Sequence, residues 1–380
     1  MNMKFELLVV VRWPLGGIRT YMRYMYRYLN SSFNITIIAM STQEDEALCK
    51  DAKALGARLL IVEDPRGFAF SRRIRHALKK GHYDLIQSHG FISGMFVHFA
   101  TKLMKRPPHI LTVHGILEEK YLNGTLARFK KFLLDKLICN VDVLYGVSND
   151  ILGHLENQVP GLQRARCKKL VIHNGIDLET FSQSTSISSL RSSWGVAENL
   201  FLFAFMGRFM PQKGFDCLFK AVGQLANSVE LPKSFKVLAV GSGDYEDWYR
   251  NQIDSLGLNE WFVFMPFQAD VAAIYREIDA IVIPSVWEAC PLLPMEALVS
   301  GVPVIGSNCI GMREVLAQTP AEIIQSGNVQ ALSGAMRSFL IESRKDEFLA
   351  FKDEARKRYD VSRSAESLRA YILENLIVDK

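Results

Sequence analysis

Cysteine is sparse in this chain and is not arranged for cross-linking. Six residues, Cys49, Cys139, Cys167, Cys217, Cys290 and Cys309, are scattered over 380 positions. There is no C-x-x-C pair and no Cys/His ligand spacing, which excludes a disulfide framework or zinc site and points to free thiols in a reducing, cytoplasmic setting. Long apolar runs are also missing. No stretch reaches 18 residues, so no span across a bilayer is expected. The first run, Leu7–Val11, is five residues long and ends at Arg12 without a small-residue cleavage site, so it reads as a buried strand rather than a signal peptide. There is no G-x-G-x-x-G, and no acidic residue ends the second strand, so a nicotinamide dinucleotide site finds little support. No solenoid period, Asp-x-Asp or nucleic-acid-binding motif occurs.

What is present suits a packed core: 49% of residues are hydrophobic and 22% charged. The net charge of +5 is uneven. Residues 1–170 hold 26 Lys and Arg against 14 Asp and Glu, and residues 171–380 hold 19 against 26. The first half is therefore expected to face something anionic.

Short apolar runs alternate with longer amphipathic stretches. Expected strands are Phe5–Val11, Ile35–Ala39, Arg58–Val62, Leu85–Ser88, Ile110–Val113, Val143–Val147 and Leu170–His173. After a Ser-rich pause over 182–199 come Leu200–Met206, Lys236–Val240, Trp261–Met265, Ala280–Ile283 and Val302–Gly306. This is the form of an α/β protein with two doubly wound sheets, placed at 1–180 and 181–361, facing across a cleft at the carboxyl ends of their strands. Ser362–Val378 reads as one helix, packed on the second domain or back on the first.

Four constellations carry chemistry. In Ser285–Leu298 a strand gives way to a helix expected to start near Pro294. Free amides at that start, from Leu292, Leu293 and Met295, favour a phosphate. Glu296 in the first turn suits the two hydroxyls of a ribose, and Glu288 sits at the loop's mouth. The plainer alternative makes Glu296 a dipole-complementing residue and Glu288 a solvated one. In Gly207–Asp216, Arg208 and Lys213 follow a strongly apolar strand and suit a diphosphate; in isolation they read equally as surface cations. Gly16-Gly17 follows the first strand and lets the backbone approach a ligand closely. His114-Gly115 ends a buried strand, as does His89-Gly90, and each His also has a purely structural reading.

Taken together, Gly16-Gly17, His114-Gly115, Val147-Ser148, Ile172–Asp177, Gly207-Arg208 with Lys213-Gly214, and the E-x7-E pair Glu288 and Glu296 resemble retaining glycosyltransferase family 4, which has the GT-B fold. The matching pieces cover about residues 5–315 in the family's order. The resemblance implies a hexosyltransferase whose Arg208 and Lys213 hold the diphosphate of a nucleotide sugar, with uridine as the base. It implies that Glu296 binds the ribose, that Glu288 and His114 contact the transferred sugar, and that Gly16 and Gly17 close over the phosphates. Three positions depart from the usual pattern: Ala289-Cys290-Pro291 replaces Gly-Phe-Gly, Ile310-Gly311 replaces Gly-Gly, and His173 replaces a proline.

With no Asp-x-Asp, the positive charge at the site is expected to do a metal's work, and no cofactor is required. Arg19, Arg23 and Arg27 share one helix face, and Leu126–Ile138 is basic and amphipathic. Both fit an anionic leaflet, and equally two packed helices with solvated basic faces. With the basic first half they suggest a glycan or lipid-linked envelope acceptor. The alternative enzyme is a GT-B nucleotide-sugar epimerase, which needs no acceptor. An oxidoreductase and a nucleic-acid module are the less supported readings.

Overall fold

The structure is a computed structural model that describes residues 4–64, 67–117, 125–163, 165–181, 190–228, 233–268 and 270–377. The chain forms two compact units, Met1–Gly175 with Val361–Lys380, and Ile176–Asp360. The sequence-based boundary at 180–181 lies five residues beyond this division.

In the first unit seven strands form one sheet: β1 (Phe5–Val11), β2 (Phe33–Met40), β3 (Arg58–Val62), β4 (Leu85–His89), β5 (His109–Val113), β6 (Val143–Gly146) and β7 (Lys168–Val171). Their order is β3-β2-β1-β4-β5-β6-β7 and every pairing is parallel. Parallel strands are covered on both faces, which is why Leu7–Val11 is a continuous apolar run with no exposed surface. On one face Leu8, Val10, Ile38 and Ile86 meet Phe70 and Ile74 of the helix Gly67–Lys80 and Val97 of the helix Phe91–Thr101. The order reverses between β1 and β4, the switch point where open sheets of this kind bind ligands.

The helix Val361–Ile372 returns to this first unit and packs on the helix Gly16–Leu29. Of the two placements open from sequence, the first unit is the one observed. The helix is also shorter than expected, giving way to a π-helical turn at Leu373–Ile377; Val378 lies outside the described residues.

The second unit repeats the plan with β8 (Phe201–Met206), β9 (Phe235–Val240), β10 (Phe262–Met265), β11 (Ala280–Ile283), β12 (Val304–Ser307) and β13 (Glu322–Ile324). The order β10-β9-β8-β11-β12-β13 is again parallel, with its switch between β8 and β11. Its core is aromatic: Phe203, Phe205, Phe209, Phe215, Phe219 and Tyr249 are buried together. Several ring pairs are tilted or edge-on, such as Phe209–Phe215 at 5.1 Å and 72°.

Two expectations are corrected. β7 begins two residues before the expected Leu170, because Lys168 and Lys169 lie on an edge strand where charged side chains reach solvent. β13 has no counterpart in the expected strands; at three residues it is too short to show a period. The end of the Ser-rich pause is anchored. Buried Arg191 donates to the carbonyls of Glu277 (2.8 Å) and Leu200 (2.9 Å) and pairs with Asp279 at 2.8 Å. Residues 182–189 of that pause lie outside the described residues.

Candidate active site

In the second unit the two strands at the switch point end in loops that are laced together. β8 runs into Gly207 and Arg208, then a 3-10 turn at Pro211–Lys213. β11 runs into loop 284–291. Between them, Val286 N–H donates to the Gln212 carbonyl (2.8 Å) and the Gln212 amide donates to the Trp287 carbonyl (3.0 Å). Gly214 sits at the closest approach. Its φ is +67°, and a Cβ there would lie 2.0 Å from the Pro284 carbonyl oxygen. Only glycine accepts both the left-handed backbone and the missing space.

This lacing brings Lys213 and Glu288 into contact, Nζ to Oε1 at 2.7 Å. Both side chains are largely buried, and Ser285 Oγ donates to the same carboxylate oxygen at 2.8 Å. Glu288 is therefore part of a desolvated ion pair, not the solvated loop residue that the plainer alternative required. Its backbone N–H donates to the Ile310 carbonyl (3.0 Å), and next to it Gly311 has φ +75° with no room for a Cβ beside the Glu288 and Ala289 carbonyls. Of the usual glycine pair, the chain keeps the one whose backbone demands it.

The helix after this loop spans Leu292–Ser300, two residues earlier than expected. Pro291 takes the cap position in an extended conformation, φ −68° and ψ 137°, so Pro294 falls inside the first turn, where proline costs nothing because its N–H would have no helical partner. Leu292 and Leu293 keep free-amide positions. Met295 becomes the fourth helical residue, placed to donate within the helix, and is no longer a donor for a ligand. Glu296 moves from the first turn to the second and is buried. The Tyr275 hydroxyl lies 3.2 Å from its Oε2 and 3.0 Å from the Leu293 carbonyl.

Arg208 differs from its neighbours. Its side chain is 65% exposed, and its nearest acid, Asp244, is 3.9 Å away and more exposed still. An exposed pair at that distance holds Arg208 weakly.

The first unit carries the remaining candidates. Gly16 and Gly17 open the helix Gly16–Leu29 directly after β1; Gly16 has φ +52°, and a Cβ on either would meet nothing within 4 Å. His114 follows β5, and its Nε2 lies 2.8 Å from Nδ1 of His89 at the end of β4. Tyr21 packs edge-on against the His114 ring at 4.8 Å. Burial pushes the His114 pKa down to about 3 and holds that of His89 well below the ordinary imidazole value, with the neighbouring His114 adding to the effect. Both rings are neutral at pH 7.

The surface of this unit also departs from expectation. Tyr21, Met22, Tyr24, Met25 and Tyr26 turn inward, and Arg19 is held by Asp51 (2.7 Å) and Glu44 (2.6 Å), whereas Arg23 and Arg27 are exposed on the first helix. The helix Ala127–Ile138 carries a basic, aromatic face: Arg128, Phe129, Lys130, Lys131 and Phe132 are all exposed.

Residues 15–180 match the family model Glycosyltransferase Family 4, and residues 186–358 match Glycosyl transferases group 1. The chain belongs to glycosyltransferase family 4. This family 4 chain is 29% identical over 243 residues to UDP-Gal:alpha-D-GlcNAc-diphosphoundecaprenol alpha-1,3-galactosyltransferase of Escherichia coli, covering 62% of this chain and 60% of that protein. It is 27% identical over 277 residues to D-inositol 3-phosphate glycosyltransferase of Corynebacterium glutamicum, covering 68% and 63%. The chain thus spans somewhat over half the length of these curated relatives. Anabaena HepE, crystallised in complex with UDP-glucose, superposes with a TM-score of 0.81 at 19% identity over 97% of this chain and 100% of that one. That likeness is one of fold: two Rossmann-like units of GT-B type.

Sequence reasoning for this family 4 member missed Ser285, Tyr275, Tyr26 and Gln87. The first three touch a candidate residue and Gln87 touches Tyr26, through contacts distant in sequence or side chains of unremarkable type, so no spacing announces them. Ser285 alone had a signal, being the first residue past the Pro284 that ends β11.

Proposed function

We propose that the chain transfers a hexosyl group from a UDP-sugar to a glycan or lipid-linked acceptor. The observation that carries this reading is the laced loop pair of the second unit. It sets Lys213 against Glu288 at 2.7 Å, with Arg208 exposed on the same loop as Lys213 and the helix start Leu292–Leu293 directly after the loop that holds Glu288. Diphosphate release adds negative charge at the leaving group. One guanidinium, one ammonium and two free amides provide fixed positive potential for it, worth most where water is excluded. In this reading these groups replace a metal, and activity persists in a chelator.

Glu296, positioned by Tyr275, receives the ribose hydroxyls, and Glu288 and His114 contact the sugar. Transfer retains the anomeric configuration: the departing phosphate oxygen takes the acceptor's proton, so no enzymic base is assigned. The reading is supported by the family models over both units and by the UDP-sugars named for the Escherichia coli relative and for HepE. The basic, aromatic face of helix Ala127–Ile138 suits an anionic membrane surface on which a lipid-linked acceptor is presented.

A thermal-shift panel of nucleotide sugars, followed by product analysis with and without acceptor, tests the proposal. Stabilisation by UDP-sugars, with sugar transferred only when acceptor is present, is expected. Release of an altered nucleotide sugar without acceptor would replace transfer by epimerisation.

A further inference from the structure

His114 ends a buried chain of hydrogen bonds that runs through two strands and a helix of the first unit. The Gln87 amide nitrogen donates to Thr112 Oγ1 at 2.9 Å. Its carbonyl oxygen accepts from the Tyr26 hydroxyl at 3.1 Å. The Tyr26 oxygen lies 2.6 Å from His89 Nε2, and His89 Nδ1 lies 2.8 Å from His114 Nε2. Tyr26, Gln87, His89 and Thr112 are all buried.

With the Gln87 amide nitrogen placed on Thr112, proton counting sets the direction of this chain. An amide oxygen cannot donate, so the single Tyr26 proton points to Gln87. The Tyr26 oxygen then accepts, and His89 must carry its proton on Nε2. A neutral imidazole has only one N–H, so His89 Nδ1 is a lone pair and His114 must donate from Nε2. Desolvation removes the escape route of a second proton on either ring, since both pKa values are pushed down. The proton of His114 is therefore on Nε2, and its Nδ1 is an acceptor. Nδ1 has no hydrogen-bond partner among the described residues and is not sealed from solvent.

We propose that Gln87, Tyr26 and His89 are positioning residues that lock His114 in its Nε2–H tautomer and so present Nδ1 as an acceptor for a hydroxyl of the bound substrate. A hydroxyl at that point is bonded. A carboxylate or carbonyl oxygen there meets a lone pair and is rejected, which biases the site toward neutral hexoses over uronic acids. The selectivity rests on the proposed function; the tautomer does not.

Histidine 15N spectra of the full chain test the two parts separately. The expected wild-type spectrum shows His114 with unprotonated Nδ1 and protonated Nε2 at pH 7. Tyr26→Phe keeps the ring and removes the oxygen, so His114 becomes a mixture of tautomers. The KM for a UDP-hexose rises about tenfold, the size of one lost hydrogen bond to a neutral partner, while binding of UDP alone is unchanged. Gln87→Met serves if Tyr26→Phe does not fold, because without the amide oxygen the Tyr26 proton is no longer held away from His89. A wild-type His114 protonated on Nδ1 overturns the relay, as does a variant of lower stability with an unchanged His114 spectrum. An intact relay with no KM difference between hexose and uronic-acid donors overturns the selectivity and leaves the tautomer standing.

Discussion

Glycine and charge act at single positions with opposite tolerances. Gly214 lies against Pro284 with a left-handed backbone, so Gly214→Ala adds a steric clash to the backbone penalty. A loss of at least about 2 kcal/mol in urea unfolding is expected, together with loss of nucleotide-sugar binding as the two loops part. Gly16 shares the positive φ but has open space around it. Gly16→Ala should cost only about 1 kcal/mol, and a fall in transfer beyond that would show the Gly16-Gly17 loop at work on the donor. Arg208 can be removed most cleanly. It is exposed and weakly paired, so Arg208→Ala should leave the melting temperature unchanged and weaken UDP-sugar binding at least tenfold in calorimetry. Unaltered affinity would take Arg208 out of the site. Lys213→Ala is a harsher test because it strands the Glu288 carboxylate, a cost of roughly 3 kcal/mol. These residue types were legible in the sequence. Their pairing was not, since Lys213 and Glu288 are 75 positions apart and nothing in either stretch specifies the other.

Two helices carry lessons at the scale of elements. The start of Leu292–Ser300 was misplaced because proline is suited to any of the first helical positions, and only the extended backbone of Pro291 decides which. That two-residue change moved Glu296 from the expected first turn to a buried position in the second. The helix Ala127–Ile138 packs against Phe91–Thr101, and the pair leaves Ile92, Phe99, Leu103, Leu126, Phe129 and Phe132 exposed. No acidic residue occurs in 91–106 or in 125–134. Apolar side chains among exposed cations such as Lys130 and Lys131 suit an anionic lipid surface, where each cation contributes about 1 kcal/mol. Lys130→Glu with Lys131→Glu should reduce flotation with phosphatidylglycerol vesicles at least tenfold, with no change for neutral vesicles. Salt-insensitive binding, or none, would refute membrane contact. The sequence flagged this helix correctly as basic and amphipathic. It misled for Arg19, whose partners Glu44 and Asp51 sit on and beside another helix.

At the scale of the whole molecule, the first unit carries three buried neutral imidazoles, His89, His109 and His114. Their folded pKa values lie below that of an exposed imidazole, so below pH 6.5 the unfolded chain binds more protons than the folded one. Stability is therefore full above about pH 6.5 and is lost as pH falls toward 3, at up to about 1.4 kcal/mol per pH unit for each group. Calorimetric melting of this unit should drop steadily from pH 7 to 4.5; a constant value would contradict the burial of these rings. By itself the sequence determined that there are two parallel α/β sheets, because strand and helix periods and buried apolar runs are properties of neighbouring residues. It also determined which residue types end the strands. Tertiary structure alone decided that the last helix belongs to the first unit, that Lys213 faces Glu288, and that His89 aims His114. Those facts depend on which distant side chains share a small, desolvated volume, and local periodicity contains no term for that.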